Sequence, residues 1–273
     1  MAAGALDPIF CKFVFFNLKD VDMKRRTLAL MGVALAAVLG SGSALAQKVI
    51  PAYNTYQSVP FQVGGEGGLA QDLVEYLNNN LKGKYTFKLE LMPRDKFNQT
   101  VLATKGFEGV ALFLAPPFVG DAEKKKFIWT SPIMGDKNLI ISQPDKKVEY
   151  TGPESLKGLK FGGVIGNKYA GLESIVRTLD TPAELTNLKN LSTKEIDVTL
   201  MPESIFAYYL KTGSNARYSL DKLHVSSKAH SSFTRHMFVA PENAQLGKDL
   251  EAVAAKMPND PAWKSILAKY GAK

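Results

Sequence analysis

What most constrains this chain is a repeated exchange of period. From residue 48 onward, runs that alternate every second position give way to runs with apolar residues at helical spacing. Such alternation specifies an α/β architecture, in which helices cover the faces of a sheet. Residues 48–53 read as a first strand. After a polar loop with Gly64, Gly65, Gly67 and Gly68, the spacing of Leu69, Leu73, Val74, Leu77 and Leu81 predicts a helix over 69–81. Residues 85–91 alternate and stop at Pro93. A second helix is expected over 95–104, a buried strand over 109–114 and another strand over 138–142. A second round opens with a turn and strand over 155–164. Gly166 and Asn167 are then expected to lead into a helix reaching Leu179. Residues 185–188 and 196–200 read as strands, 203–211 as a helix, and 236–240 as a strand returning to the first unit. Two helices close the chain, one lined by Leu246, Leu250, Val253 and Met257, the other by Trp263, Ile266, Leu267 and Tyr270.

The segment ahead of this pattern is different in kind. Residues 23–47 place Lys24, Arg25 and Arg26 before an uncharged apolar run over 28–39, then small residues ending in Ala44-Leu45-Ala46. A basic flank, a short apolar run and an Ala-x-Ala site describe a secretory signal peptide, cleaved here after Ala46. A membrane anchor is the competing reading, but a spanning helix needs about 20 apolar residues, and this run breaks at Gly40, Ser41 and Gly42. Gln47 follows the cut, so no lipidated cysteine is expected. The expected product is soluble and periplasmic. Residues 1–22 precede a complete signal that has its own methionine, and are read as a mis-assigned upstream start.

The only cysteine, Cys11, lies in that upstream stretch. Export without disulfides suits a chain long enough to be stabilised by its own core. The net charge is +8, yet lysines and acids are interspersed and only Arg94, Arg177, Arg217 and Arg235 lie beyond residue 46. A nucleic-acid binder concentrates such charge on one face, so the charge is read as solubility and no nucleic-acid partner is expected.

Four landmarks in order carry a resemblance. Val59-Pro60-Phe61 precedes a glycine-rich turn and Gly68-Leu69-Ala70-Gln71-Asp72-Leu73. Phe127-Ile128-Trp129-Thr130-Ser131-Pro132 follows, then the run from Leu156 to Gly166, and finally the run from Trp263 to Gly271. Together they resemble the periplasmic solute-binding proteins that serve ABC importers of polar amino acids, the extracellular family 3 with the type II periplasmic binding fold. The resemblance implies two α/β lobes joined by two crossing strands, with the ligand in the cleft between them. Lobe 1 would comprise 47–137 with 231–273, and lobe 2 would comprise 138–230. It further implies a small polar solute and an inner-membrane ABC permease as partners, a monomer, and no cofactor.

Candidate contacts follow from position. Tyr56 and Phe61 come after the first strand, where the family places aromatics against its ligand; Phe61 also reads as a loop anchor. Arg94 lies past the carboxyl end of 85–91 and could hold a carboxylate in bidentate fashion, or pair with Asp95 at the surface. Gly166, Asn167 and Lys168 would open the lobe-2 helix, whose N-terminal N–H groups favour an anion, with Tyr169 as a companion contact; Asn167 also reads as a plain cap. Glu203 begins a helix next to Pro202, which stands where amino-acid binders carry the acid for the ligand's ammonium. It also reads as an ordinary first-turn acid. One departure from the family is plain. Residues 114–123 carry Pro116, Pro117 and Phe118, and Glu123 stands in place of the arginine that grips an amino acid's carboxylate. Phe118 and Trp129 are further candidates for the cleft wall.

No GxSxG or HExxH motif occurs, and the spacing of His224, His230 and His236 is not that of a zinc site. The chain is expected not to be an enzyme and to hold no metal. Two alternatives remain on the same fold. One is an exported cyclohexadienyl-type dehydratase with Glu203 as its proton donor; the other is a ligand-sensing module for a membrane receptor.

Overall fold

The computed structural model describes residues 48–65, 67–165, 167, 169–175 and 177–273. The segment read as a signal peptide, Gly166 and Lys168 therefore lie outside the described residues.

Strand β1 (Lys48–Asn54) pairs in parallel with β2 (Tyr85–Leu91) over its whole length, from Lys48↔Tyr85 to Asn54↔Leu91. Its other edge meets β3 (Val110–Leu114), an unbroken apolar run buried at every position. Helix α1 (Leu69–Asn80) covers this region by burying Leu69, Leu73, Val74 and Leu77, the apolar stripe that its spacing demands. From β2 the chain passes through a short helix, α2 (Arg94–Phe97), and a π-turn over Asn98–Leu102 where one longer helix was expected.

Two nine-residue strands run through the middle of the sheet, β5 (Met134–Ser142) and β10 (Ser231–Val239). Beyond β5 lie β8 (Val198–Pro202), β6 (Phe161–Val164) and β7 (Arg177–Thr181), giving the order β2-β1-β3-β10-β5-β8-β6-β7. Two short strands sit beside this path, β4 (Ile128–Trp129) on β10 and β9 (His224–Val225) on β5. Strand β10 changes partner along its length. Arg235 stands opposite Met134 of β5, whereas the next residue, His236, stands opposite Leu114 of β3. The molecule is two-lobed, with separate apolar cores around Leu73, Phe113 and Trp263, around Leu188, Ile196 and Ile205, and around Leu156, Phe161 and Val198.

Helix α3 (Glu184–Ser192) replaces the strand expected over 185–188. A short apolar run does not fix its own period, and Leu188 and Leu191 face the core one helical turn apart. Among the described residues of the helix expected from Gly166 to Leu179, none is helical. Residues 169–175 are turns, Gly171 sits at φ 78°, and 177–181 become β7, with Leu179 opposite Gly162. Helix α4 (Glu203–Lys211) matches expectation, and α5 (Gly213–Tyr218) follows it. The closing helices are α6 (Ala244–Ala254) and α7 (Pro261–Lys269). Asp260 caps α7 by accepting from the Ala262 N–H at 2.8 Å, and Pro261 takes the first helical position. No helix among the described residues is long and apolar enough to cross a membrane.

Candidate ligand site

Polar chemistry converges where β10 changes partner. Arg235 is only 1 % exposed. Asp136 of β5 stands opposite Phe233 and so is a diagonal neighbour of Arg235. The guanidinium donates through Nε (2.9 Å) and Nη2 (2.7 Å) to Asp136 Oδ2, and through Nη1 to the Phe113 carbonyl at 3.1 Å. Its central carbon lies 4.7 Å from the Tyr56 ring centroid, 4.6 Å from that of Phe61 and 5.0 Å from that of Phe233. Burial alone would pull the guanidinium down. The Tyr56 hydroxyl and the Asp136 carboxylate outweigh it and hold Arg235 above its ordinary range, so it stays charged. Phe113 itself is held at φ 60°, a left-handed conformation that costs a bulky residue on the order of 1–3 kcal/mol.

Asp136 is equally well satisfied. Ser204 Oγ donates to its Oδ2 at 2.7 Å, and the N–H groups of Ser204 (3.2 Å) and Lys137 (2.9 Å) donate to Oδ1. The chain's own carboxylate thus sits at the N-terminus of α4, where free N–H groups and the helix dipole favour an anion.

On the other side of Tyr56 the loops after β1 and β2 leave the sheet together. The pairing ends at Asn54↔Leu91, and the Met92 N–H still reaches the Asn54 carbonyl at 3.0 Å. Asn54, 1 % exposed, locks the turn by accepting from the Tyr56 N–H at 3.2 Å and donating to the Tyr56 carbonyl at 2.8 Å. Arg94 then lies 5.9 Å from the Tyr56 ring centroid and donates through Nη1 to the Phe118 carbonyl at 3.5 Å, a long contact. Its Nε is buried and has no hydrogen-bond partner, and the same holds for Thr55 Oγ1.

Of the residues singled out from sequence, Tyr56, Phe61, Arg94 and Phe118 come together. Tyr56 packs on Phe61 at 4.7 Å, and Phe118 meets Phe233 edge-on at 5.1 Å. Phe61 is fully buried behind Tyr56 and also packs on Phe113. Glu203, the first residue of α4, pairs with Lys137 at 3.4 Å, and both line a cavity of about 320 Å³ with Ser204, Phe206 and Lys273.

Others lie elsewhere or in a different setting. Asn167 and Tyr169 do not open a helix, so the dipole argument for an anion there falls. Asn167 is exposed in a turn, and the Tyr169 hydroxyl accepts from the Val164 N–H at 2.9 Å while its ring meets Phe161 edge-on. Lys168 lies outside the described residues. Trp129, half-buried, packs with Phe127 and Phe238 and donates to Asp121 at 2.7 Å. The three histidines are dispersed onto Glu149, the Ala170 carbonyl and the Thr130 carbonyl. Among the described residues no cluster of His, Cys, Asp or Glu could hold a metal ion.

The reading of the sequence missed Arg235, Asp136, Phe233 and Thr55. One signal was available for Arg235. A lone arginine inside SSFTRHMFV, in a chain with few arginines, requires a buried partner if the strand is extended two turns of the pleat upstream.

No family model matches this chain, and no curated protein does. Solved structures do. The GluR0 ligand-binding core of Nostoc punctiforme in complex with L-glutamate superposes with a TM-score of 0.61 at 14% identity, covering 82% of this chain and 98% of that one. An ancestral arginine-binding protein bound to glutamine gives 0.59 at 15% identity, with 82% and 98% covered. The L-cystine solute receptor of Neisseria gonorrhoeae, unliganded and open, gives 0.58 at 15% identity, with 84% and 95% covered. Likeness at this identity is likeness of fold, and the fold is that of the two-lobed type II periplasmic binding proteins.

Proposed function

We propose that this chain is the exported solute-binding component of an ABC importer. It captures a small polar solute, an amino acid or a related organic acid or amine, between its lobes and hands it to an inner-membrane permease. The lobes divide as 47–137 with 231–273 against 138–230, and closure is a hinge motion about β5 and β10. The protein acts as a monomer, without a cofactor and without chemistry.

The observation that carries this reading is the convergence at the partner change of β10. Strand ends from the first region supply Tyr56, Arg94 and Phe118, the crossing strands supply Asp136, Phe233 and Arg235, and α4 supplies Ser204. Ligands of open α/β sheets sit beyond the carboxyl ends of strands at such a change of order, against apolar walls with a few fixed polar groups. The solved neighbours include substrate-binding proteins of amino-acid ABC transporters.

The test is a thermal-shift and calorimetric screen of amino acids, amines and organic acids, with native mass spectrometry of whatever co-purifies. A saturable shift with the compound recovered unchanged is the expected result. Turnover of a bound compound would replace this reading with that of an enzyme.

A further inference from the structure

The surroundings of Arg235 form a complete recognition site for a cation. The ring centroids of Phe61, Tyr56 and Phe233 lie 4.6, 4.7 and 5.0 Å from its guanidinium carbon. Asp136 Oδ2 accepts from Nε and Nη2, and the Phe113 carbonyl accepts from Nη1. These groups come from the loop after β1, from β3, from β5 and from β10.

Each wall has a support of its own. Asn54 locks the turn that carries Tyr56. Phe61 packs on Phe113 with ring centroids 5.1 Å apart, and Phe233 meets Phe118 edge-on. Asp136 is held by the Ser204 hydroxyl and by the N–H groups of Ser204 and Lys137. Rings closed by a carboxylate and a carbonyl, and fixed from outside, are the pre-organised surroundings that a guanidinium needs. Here the occupant is the chain's own side chain, 1 % exposed.

Stability alone does not call for a charge at this position. Residues 233 and 237, two places to either side on β10, are Phe and Met, so an apolar residue would continue the row. A buried ion pair is often no more stabilising than well-packed apolar side chains of similar volume.

We propose that Arg235 is the built-in occupant of a cation-recognition box and so a specificity-determining residue. While it is in place, no guanidinium or alkylammonium from solution reaches the three rings. Once it is truncated, the box accepts a free alkylguanidinium. The inference is independent of which solute the cleft captures, and its failure would leave solute capture standing.

The experiment uses R235A and N-ethylguanidinium, which supplies the atoms that the substitution removes. The neutral isostere N-ethylurea and sodium chloride are the controls, and thermal midpoints are the readout. N-ethylguanidinium is expected to raise the midpoint of R235A saturably, by about 3 °C or more well above its dissociation constant. N-ethylurea should bind about tenfold more weakly, because it lacks the charge. The native chain should show no rise, and D136N/R235A, without the carboxylate, should lose the response. Weak general binding of guanidinium to protein surface destabilises, so it cannot imitate a rise. Should R235A not fold unaided, refolding with N-ethylguanidinium or with equal sodium chloride is followed by circular dichroism. Recovery with the guanidinium alone supports the box, and no recovery overturns it. A folded R235A that does not respond, an equal response to N-ethylurea, or an equal rise in the native chain or in D136N/R235A would also overturn it.

Discussion

Two guanidinium groups flank Tyr56 in opposite circumstances. Arg235 is sealed: its Nε, Nη1 and Nη2 all donate, its carboxylate partner is itself satisfied by Ser204 and the Lys137 N–H, and three rings pack against it. Arg94 is half-buried with one long contact and an unmatched Nε. The same side chain thus serves as architecture on one side of a ring and stands unsatisfied on the other. Buried charge that is fully paired ties elements together, here β5, β10, β3 and the N-terminus of α4. Buried polarity that is unpaired is tolerated only where something else completes it.

Breaking the sealed side should cost most. D136A leaves the Arg235 charge buried without its carboxylate and is expected to lower the unfolding free energy by about 3–5 kcal/mol, read by urea denaturation. Ser204→Ala removes one hydroxyl donor from that carboxylate and should cost less, about 1.5 kcal/mol, because the backbone N–H groups and Arg235 remain. The open side should behave oppositely. T55V, nearly the same shape, deletes an unmatched hydroxyl and should leave stability unchanged within about 1 kcal/mol, or raise it. A T55V penalty as large as that of D136A would erase the distinction between the two sides.

A smaller effect sharpens the comparison in pH. His236 follows Arg235 at the strand's partner change. Its ring contacts the Thr130 carbonyl through Nδ1 and Thr234 Oγ1 through Nε2, each at 2.7 Å. Burial pushes the imidazole below its ordinary 6.5. The unfolded chain therefore takes up this proton first as pH falls. The contribution is fully present above about pH 6.5 and is lost from there down toward the lowered folded value. Thermal midpoints measured from about pH 7.5 to 5.5 should fall for the native chain and fall less steeply for His236→Gln.

Much of the fold was legible because it is written in local period. The stripe of α1, the alternation of β2 and the whole of α4 could be read to within a residue. The failures cluster at 166–192, where short apolar runs do not distinguish a strand from one turn of helix, and helix and strand were exchanged. The site divided similarly. Tyr56, Arg94 and Phe118 follow strand ends, and position together with the family resemblance suggested them. Arg235 and Asp136 did not declare themselves, because they meet across 99 residues and no local pattern encodes that distance. Each also lay just before the point where its strand was thought to begin, at 236 and 138, so the two long crossing strands were read too short to include the pair that binds them.

The most direct test of the two-sided site is to watch the guanidinium groups themselves. Only four arginines lie beyond residue 46, so the Nε–H resonances of arginine-labelled protein form a spectrum that single variants can assign. Titration with the tightest-binding compound of the solute screen should shift the resonance missing from R94K and leave that of Arg235 in place. A shift of the Arg235 resonance with Arg94 unmoved would contradict the account, because the sealed pair would then be the ligand's own seat.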